Sequence, residues 1–154
     1  MLTNSEIMVT AKKTKIHLFS HDIPTSLKYT SKLKYFIESI FKREMQNLDS
    51  INYIFCSDIA ILEINKKYLN HDFYTDVITF DLSQDNKAVS AEVYVSIDRI
   101  RDNARQLGLS IKSELHRVLF HAALHLCGYN DKKKKDKEIM RKKENELLAK
   151  YFNL

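Results

Sequence analysis

The chain has 154 residues, 44% of them hydrophobic and 29% charged, which is typical of one globular domain whose core needs no disulfides or structural metal. Two glycines and one proline exclude a long flexible linker, so we expect a single domain over residues 1–154. The net charge of +5 suits a partner covered with phosphate, although charge alone does not select a nucleic acid.

The cysteines and the start of the chain bear on the cellular compartment. Cys56 and Cys127 form neither a CxxC pair nor part of a closely spaced framework, so they are predicted to be buried thiols in a reducing compartment. The first twenty residues lack the apolar core of a signal peptide, and no stretch is apolar over the length that a membrane span needs. We therefore expect a cytoplasmic protein with no membrane partner.

The first half of the chain is predicted to alternate strands and helices. Residues 15–20 alternate as a short strand, and residues 24–26 then open a long helix. The apolar stripe of that helix recurs at three- and four-residue steps through Leu33, Phe36, Ile37, Ile40, Phe41 and Met45. Residues 51–56 are a second strand candidate, after which Ser57 and Asp58 can cap another helix.

The second half is predicted to hold two strands and then three helices. These segments occupy residues 76–82, 92–97, 97–107, 111–126 and 131–152. The two strands are rich in β-branched and aromatic residues, are separated by a polar loop and should pair. Core-facing residues are expected in the last, lysine-rich helix at Ile139, Met140, Leu147, Leu148, Tyr151 and Phe152. This order predicts an α+β domain in which helices cover a small mixed β-sheet.

Residues 114–131 (ELHRVLFHAALHLCGYND) carry two histidines four positions apart near the end of a predicted helix. Because residues i and i+4 share one helix face, His121 and His125 can bind one ion. Gly128 can adopt the positive φ that ends a helix and turns the chain, so that Asp131 can supply a third ligand. Three protein ligands with room for a water are typical of catalytic zinc. We predict one divalent ion per chain, zinc, with its bound water as the reactive species.

Other interpretations of this segment remain open. An HxxxH pair alone is usually two histidines on a half-exposed face, but here the helix is otherwise apolar and unpartnered histidines would be costly. Residues 121–131 also fit an aspartate version of the metzincin protease motif, yet Ala122 stands where those proteases need a glutamate. Two histidines and a carboxylate are also the ligand set of non-haem iron enzymes, so the identity of the metal stays open.

Two blocks of the sequence match, in order and spacing, patterns that occur together in one family. A helix pattern of EL followed by HGxLHLxGYDH is matched by Glu114, Leu115, His121, Leu124, His125, Leu126, Gly128 and Tyr129, with Asp131 in place of the last histidine. The pattern LNxxYRxxDxxTDVLSF is matched by Ile64, Asn65, Tyr68, Asp72, Thr75, Asp76, Val77, Ile78, Thr79 and Phe80. A weaker match lies at residues 92–95. On the basis of these matches, the chain resembles the YbeY family of bacterial endoribonucleases, which are rRNA maturation factors.

The resemblance implies a metal-dependent, single-strand-specific endoribonuclease that processes ribosomal RNA in ribosome maturation. It implies RNA and the ribosomal subunit as partners, and no small organic cofactor. In the family pattern, the tyrosine of the second block is followed by an arginine, for which the resemblance implies contact with the RNA backbone. Leu69 stands at that position here and offers neither a hydrogen-bond donor nor a charge. Lys66, Lys67 and His71 are the candidates to bind RNA instead, although each alone is typical of a solvated surface. This departure keeps open a non-catalytic, RNA-binding assembly factor.

A lysine run at residues 132–135 directly follows Asp131, at the predicted start of the last helix. Such runs are usually solvated, but lysines at a helix N-terminus oppose the helix dipole. This unfavourable placement, next to the candidate metal ligands, favours a role in binding phosphate.

Overall fold

The computed structural model of the chain describes residues 13–25, 27–85 and 87–154. Its strands and helices, numbered in chain order, are β1 (Ile16–Ser20), α1 (Thr30–Arg43), β2 (Leu48–Cys56), α2 (Asp58–Leu69), β3 (Val77–Asp81), β4 (Val89–Ser96), α3 (Ile97–Leu107), α4 (Ile111–Leu126) and α5 (Lys134–Phe152). The predicted elements are present in the predicted order. The helix expected to open at residues 24–26 begins instead at Thr30, and Ser26 lies outside the described residues.

The strands form one mixed sheet in the order β1-β2-β4-β3. The pairs β1-β2 and β2-β4 are parallel. Helix α1 connects β1 to β2, whereas both α2 and β3 lie between β2 and β4 in the chain. Strands β3 and β4 are antiparallel and adjacent in the chain. The predicted α+β fold with a small mixed sheet, and the predicted pairing of the last two strands, are confirmed.

Helix α4, which carries both histidines of the HxxxH pair, lies in the middle of the core. It contacts α1, α3, α5, β3 and β4. From β2, the buried Tyr53 donates a hydrogen bond from its hydroxyl to the carbonyl of Leu119 at 3.0 Å. Contacts from several sides therefore fix the helix that positions His121 and His125. No helix in the described ranges is long and apolar enough to cross a membrane.

Two residues assigned to apolar stripes are exposed instead. Met45 lies beyond the end of α1 with a φ of 55° and is 91% exposed, because the chain turns there before it enters β2. Ile139 is exposed because α5 packs through Met140, Leu147 and Tyr151, and a one-residue offset rotates a helical side chain by about 100°. The predictions that these two side chains face the core are wrong.

Both cysteines are free thiols. Burial raises the pKa of Cys56 and of Cys127 to about 12, so neither is a thiolate at neutral pH. Cys56 is buried, as predicted. Cys127 is only half-buried, because it is the C-terminal cap of α4 rather than part of its inner face.

His116 is a buried histidine on α4 that serves the packing of α5. It is 2% exposed, and its ring centroid lies 4.9 Å from that of Tyr151 and 5.0 Å from that of Phe152. Its Nδ1 lies 2.7 Å from the carbonyl oxygen of Lys112. Desolvation lowers the pKa of His116 below its usual value of 6.5, although the hydrogen bond to the Lys112 carbonyl opposes this shift.

The lowered pKa of His116 predicts a loss of stability in mild acid. The unfolded chain protonates this histidine at a higher pH than the folded chain does. The contribution of neutral His116 to the free energy of unfolding is therefore complete above about pH 6.5 and is lost as the pH falls further. Between about pH 7.5 and about pH 5.5, the urea midpoint should fall more for the wild type than for His116→Gln. Both proteins are measured with chelator present, so that the metal centre contributes equally. Equal decreases would contradict this role of His116.

Candidate metal centre

Three side chains meet at the C-terminal end of α4. The Nε2 atoms of His121 and His125 are 3.1 Å apart. Oδ2 of Asp131 lies 3.4 Å from the first of these nitrogens and 3.2 Å from the second. Ligand atoms of a tetrahedral zinc site with bonds of about 2.0–2.2 Å are separated by about 3.3–3.6 Å. The observed separations of 3.1, 3.2 and 3.4 Å are equal to this range or slightly shorter, so the three atoms are close enough together to share one ion. A fourth position of a tetrahedral ion would then be open to a water or a substrate.

A glycine turn brings Asp131 back toward the two histidines. Gly128 has a φ of +101°, and its backbone N–H donates to the carbonyl of His125 at 3.0 Å. The N–H of Tyr129 donates to the carbonyl of Leu124 at 3.1 Å, which completes a Schellman motif at the end of α4. The turn predicted at Gly128 is confirmed. Among the described residues, this is the one group of three His, Cys, Asp or Glu side chains close enough to share an ion.

A buried carboxylate on α5 supports His121 from behind. Nδ1 of His121 lies 2.7 Å from Oε1 of Glu144, which is 2% exposed. A neutral imidazole carries one N–H, so donation from Nδ1 to Glu144 leaves the lone pair of Nε2 facing the donor triangle. A carboxylate hydrogen-bonded to the second nitrogen of a histidine is the usual outer partner of a metal ligand.

Two arginines balance the charge of Glu144. Arg117 Nη1 lies 3.4 Å from the Glu144 carboxylate, and Arg141 Nη1 lies 3.6 Å from it. Burial alone would raise the pKa of Glu144, but the hydrogen bond from His121 and the positive charge of Arg117 hold it below its usual value. Arg117 also pairs with the buried Glu114, and this hydrogen bond raises the pKa of Arg117 above its ordinary value. The support of His121 is therefore an ionised network.

Sequence reasoning missed Glu144, although a signal for it is present. Buried residues of α5 recur as Met140, Glu144, Leu147 and Tyr151. Glu144 is the only charged member of this stripe, and a carboxylate on an apolar helix face is rarely buried without a partner. The pattern thus indicates an ion pair or hydrogen bond, but it does not identify His121 as the partner.

The donor triangle lies in a cleft of about 790 Å³ between the end of α4, strand β3 and the loop that joins α2 to β3. Asn65 and Asp76, from the second sequence block, line this cleft together with the two histidines. Burial raises the pKa of Asp76, while the positive charge of Arg117 acts against this shift. The fold thus brings both sequence blocks to one place.

The three residues predicted to bind RNA differ in their position relative to the cleft. His71 lines the cleft, as does Leu69. Lys66 instead pairs with Asp72 at 3.2 Å, and Lys67 lies over the ring of Tyr68 at 5.2 Å from its centroid; neither lysine lines the cleft. Of the three, only His71 therefore lies beside the candidate metal ligands.

Comparisons with known proteins show the family of the chain. The family model described as Endoribonuclease YbeY matches residues 13–152. The chain belongs to the YbeY family. It is 42% identical over 138 residues to the endoribonuclease YbeY of Cytophaga hutchinsonii, covering 90% of this chain and 96% of that protein. It is 52% identical over 104 residues to the endoribonuclease YbeY of Bacteroides thetaiotaomicron, covering 68% and 75% of the two chains.

A solved structure supports the fold. The solution structure of a Thermotoga maritima protein matches with a TM-score of 0.64 and 28% identity, over 90% of this chain and 89% of that one. The resemblance to YbeY proteins inferred from the two sequence blocks is therefore confirmed over nearly the whole chain.

Asp131 is the predicted third ligand, and its variants test this assignment. Asp131→Ala should reduce the metal content well below one ion per chain, and Asp131→His should restore at least part of it by replacing oxygen with a ring nitrogen. The measurement is metal analysis of protein purified without added metal. Asn130→Ala, an exposed neighbour in the same turn, is the control. Loss of metal in Asn130→Ala but not in Asp131→Ala would mean that the turn places a different ligand.

Glu144 should affect the metal through His121 without binding it. Glu144→Ala removes the acceptor for Nδ1 and should weaken zinc binding by about 10–100-fold. Glu144→Gln keeps the size and a carbonyl acceptor but loses the charge, so its loss should be smaller. Zinc affinity is measured by competition with a chromogenic chelator, with circular dichroism as the check on folding. Glu138→Ala, an exposed carboxylate on the same helix, should leave the affinity unchanged. Unchanged affinity in folded Glu144→Ala would rule out this supporting role.

Proposed function

We propose that this chain hydrolyses phosphodiester bonds of RNA with one zinc ion held by His121, His125 and Asp131. The relatives reported above are named endoribonucleases, and as a member of their family the chain is a hydrolase that acts on RNA. The observation that carries the metal assignment is the triangle of donor atoms, whose edges of 3.1, 3.2 and 3.4 Å suit one small ion.

Each part of the site has a chemical task in this proposal. When bound, such an ion lowers the pKa of a coordinated water to about 7 and polarises a phosphoryl oxygen. Glu144 holds His121 in the tautomer that presents Nε2. Asp131 adds a negative charge to the ligand set, where the family's histidine would be neutral. The cleft between β3 and the end of α4 gives the RNA strand access to these side chains.

Zinc is favoured over other divalent ions because two imidazole nitrogens and one carboxylate form a three-ligand set of the kind that catalytic zinc uses. Iron shares this ligand set, so the metal is distinguished by reconstitution. Peptide hydrolysis is disfavoured because Ala122 is fully buried in the core and supplies no general base.

We also propose that the RNA is ribosomal, that the ribosomal subunit is the partner and that the protein works in the cytoplasm. The net charge of +5 and the family's role as rRNA maturation factors support this assignment. The basic residues 132–135 follow Asp131 directly, and Lys132 lines the cleft that holds the donor triangle, where a phosphate of the RNA can meet its charge.

A cleavage assay tests the proposed activity. The purified protein should cut a single-stranded oligoribonucleotide, lose this activity with chelator and regain it with zinc, while casein remains intact. His121→Ala should lose cleavage because it removes a metal ligand. His17→Ala, a histidine of β1 outside the cleft, should keep it.

Three results would overturn parts of this proposal. Cleavage that persists in His121→Ala and in chelator would place the reaction elsewhere. Recovery with ferrous iron but not with zinc would correct the metal. RNA binding without cleavage by fully zinc-loaded protein would favour a non-catalytic assembly factor.

A further inference from the structure

The loop between α2 and β3 places two aromatic rings on a wall of the metal cleft. His71 and Phe73 both line the cleft, and their ring centroids are 5.0 Å apart at an interplanar angle of 21°. Phe73 is 55% exposed. Exposed aromatic rings in such a cleft are what proteins use to stack the unpaired bases of RNA.

The loop that carries the two rings is tied to the end of α2. Asn65 is 2% exposed, and its side-chain amide donates to the carbonyl of Phe73 at 2.9 Å. The backbone carbonyl of Asn65 accepts a hydrogen bond from the N–H of His71 at 3.2 Å. Lys66 pairs with Asp72, between the two rings in sequence. The ring pair is thus positioned before any ligand binds, which lowers the entropy cost of binding.

The same cleft offers one lysine for a phosphate group. Lys132 lines it and directly follows Asp131, and within the described ranges it has no hydrogen bond or ion pair with another residue. Leu69 also lines the cleft and carries no charge. A nucleotide in this cleft therefore meets aromatic rings for its base and a free ammonium group for its phosphate.

We propose that Phe73, with His71 stacked against it, is a platform that binds one unpaired RNA base beside the metal ligands. This inference rests on the proposed function, because it takes RNA as the occupant of the cleft. A base within a duplex has both faces covered by its neighbours, so the platform accepts only unpaired nucleotides. Phe73 is therefore a residue that determines the preference for single strands, with little discrimination among the four bases because every base has a π face.

Substitution of Phe73 tests the platform directly. The probe is a short single-stranded oligoribonucleotide that contains 2-aminopurine, whose fluorescence is quenched when it stacks. Zinc-loaded protein is mixed with it in a stopped-flow instrument, and the quench is read before cleavage. Phe73→Leu keeps an apolar side chain but removes the ring, and it should weaken binding about tenfold and reduce the quench. Phe73→Tyr should keep both.

Phe19→Leu is a matched control. Phe19 is 51% exposed and also stacks on a histidine, His17, with ring centroids 6.4 Å apart at 29°. It lies on β1 and does not line the cleft. Its substitution should leave the affinity and the quench unchanged. A duplex of the same sequence should compete poorly with the probe for the wild type, and Phe73→Leu should reduce this preference for single strands about tenfold.

The outcomes separate the platform from the proposed function. Equal affinity, quench and strand preference in wild type and Phe73→Leu would overturn the platform, even if the protein cleaves RNA. Absence of a quench in the wild type would overturn it as well. A quench that depends on Phe73, in protein that never cleaves RNA, would support the platform and refute the proposed catalysis.

Discussion

The hydrogen bond from Nδ1 of His121 to the buried Glu144 joins the metal centre to the protein core. It determines which ring nitrogen faces the cleft, because a neutral imidazole has one N–H and one lone pair. Glu144 can remain ionised in the interior because Arg117 and Arg141 lie nearby. The orientation of the His121 ring thus depends on how α5 packs against α4, and not only on the helix that carries the histidines.

The cleft brings the donor triangle together with Leu69, Phe73 and Lys132. In the proposed ligand set, the carboxylate of Asp131 brings a negative charge that a neutral imidazole lacks, and this charge would offset part of the charge of the ion. Leu69 contributes no charge to the cleft, whereas Lys132, which follows Asp131, contributes a cation. The exposed ring of Phe73 adds a surface that needs no charge. Recognition of RNA is therefore inferred to depend on stacking as well as on phosphate contacts.

Local patterns in the sequence predicted much of the fold and of the donor triangle. Hydrophobic periodicity identified the strands and helices, because the repeats of 2.0 and 3.6 residues follow from backbone geometry. The spacing of His121 and His125 and the glycine at Gly128 likewise act within a few residues of one another, so a helix face and a Schellman turn suffice to bring them to Asp131.

Contacts between distant segments were decided only by the tertiary structure. Glu144 lies 23 residues after His121 on another helix. The periodicity of α5 indicates that Glu144 is buried, but it does not indicate which residue Glu144 contacts. Phe73 comes to the metal cleft because the buried Asn65 holds its loop. The pairing of Lys66 with Asp72 likewise follows from the conformation of the loop and not from a local pattern. Sequence spacing determines neighbours along one element, whereas packing of several elements in a shared core determines which side chains meet across the fold.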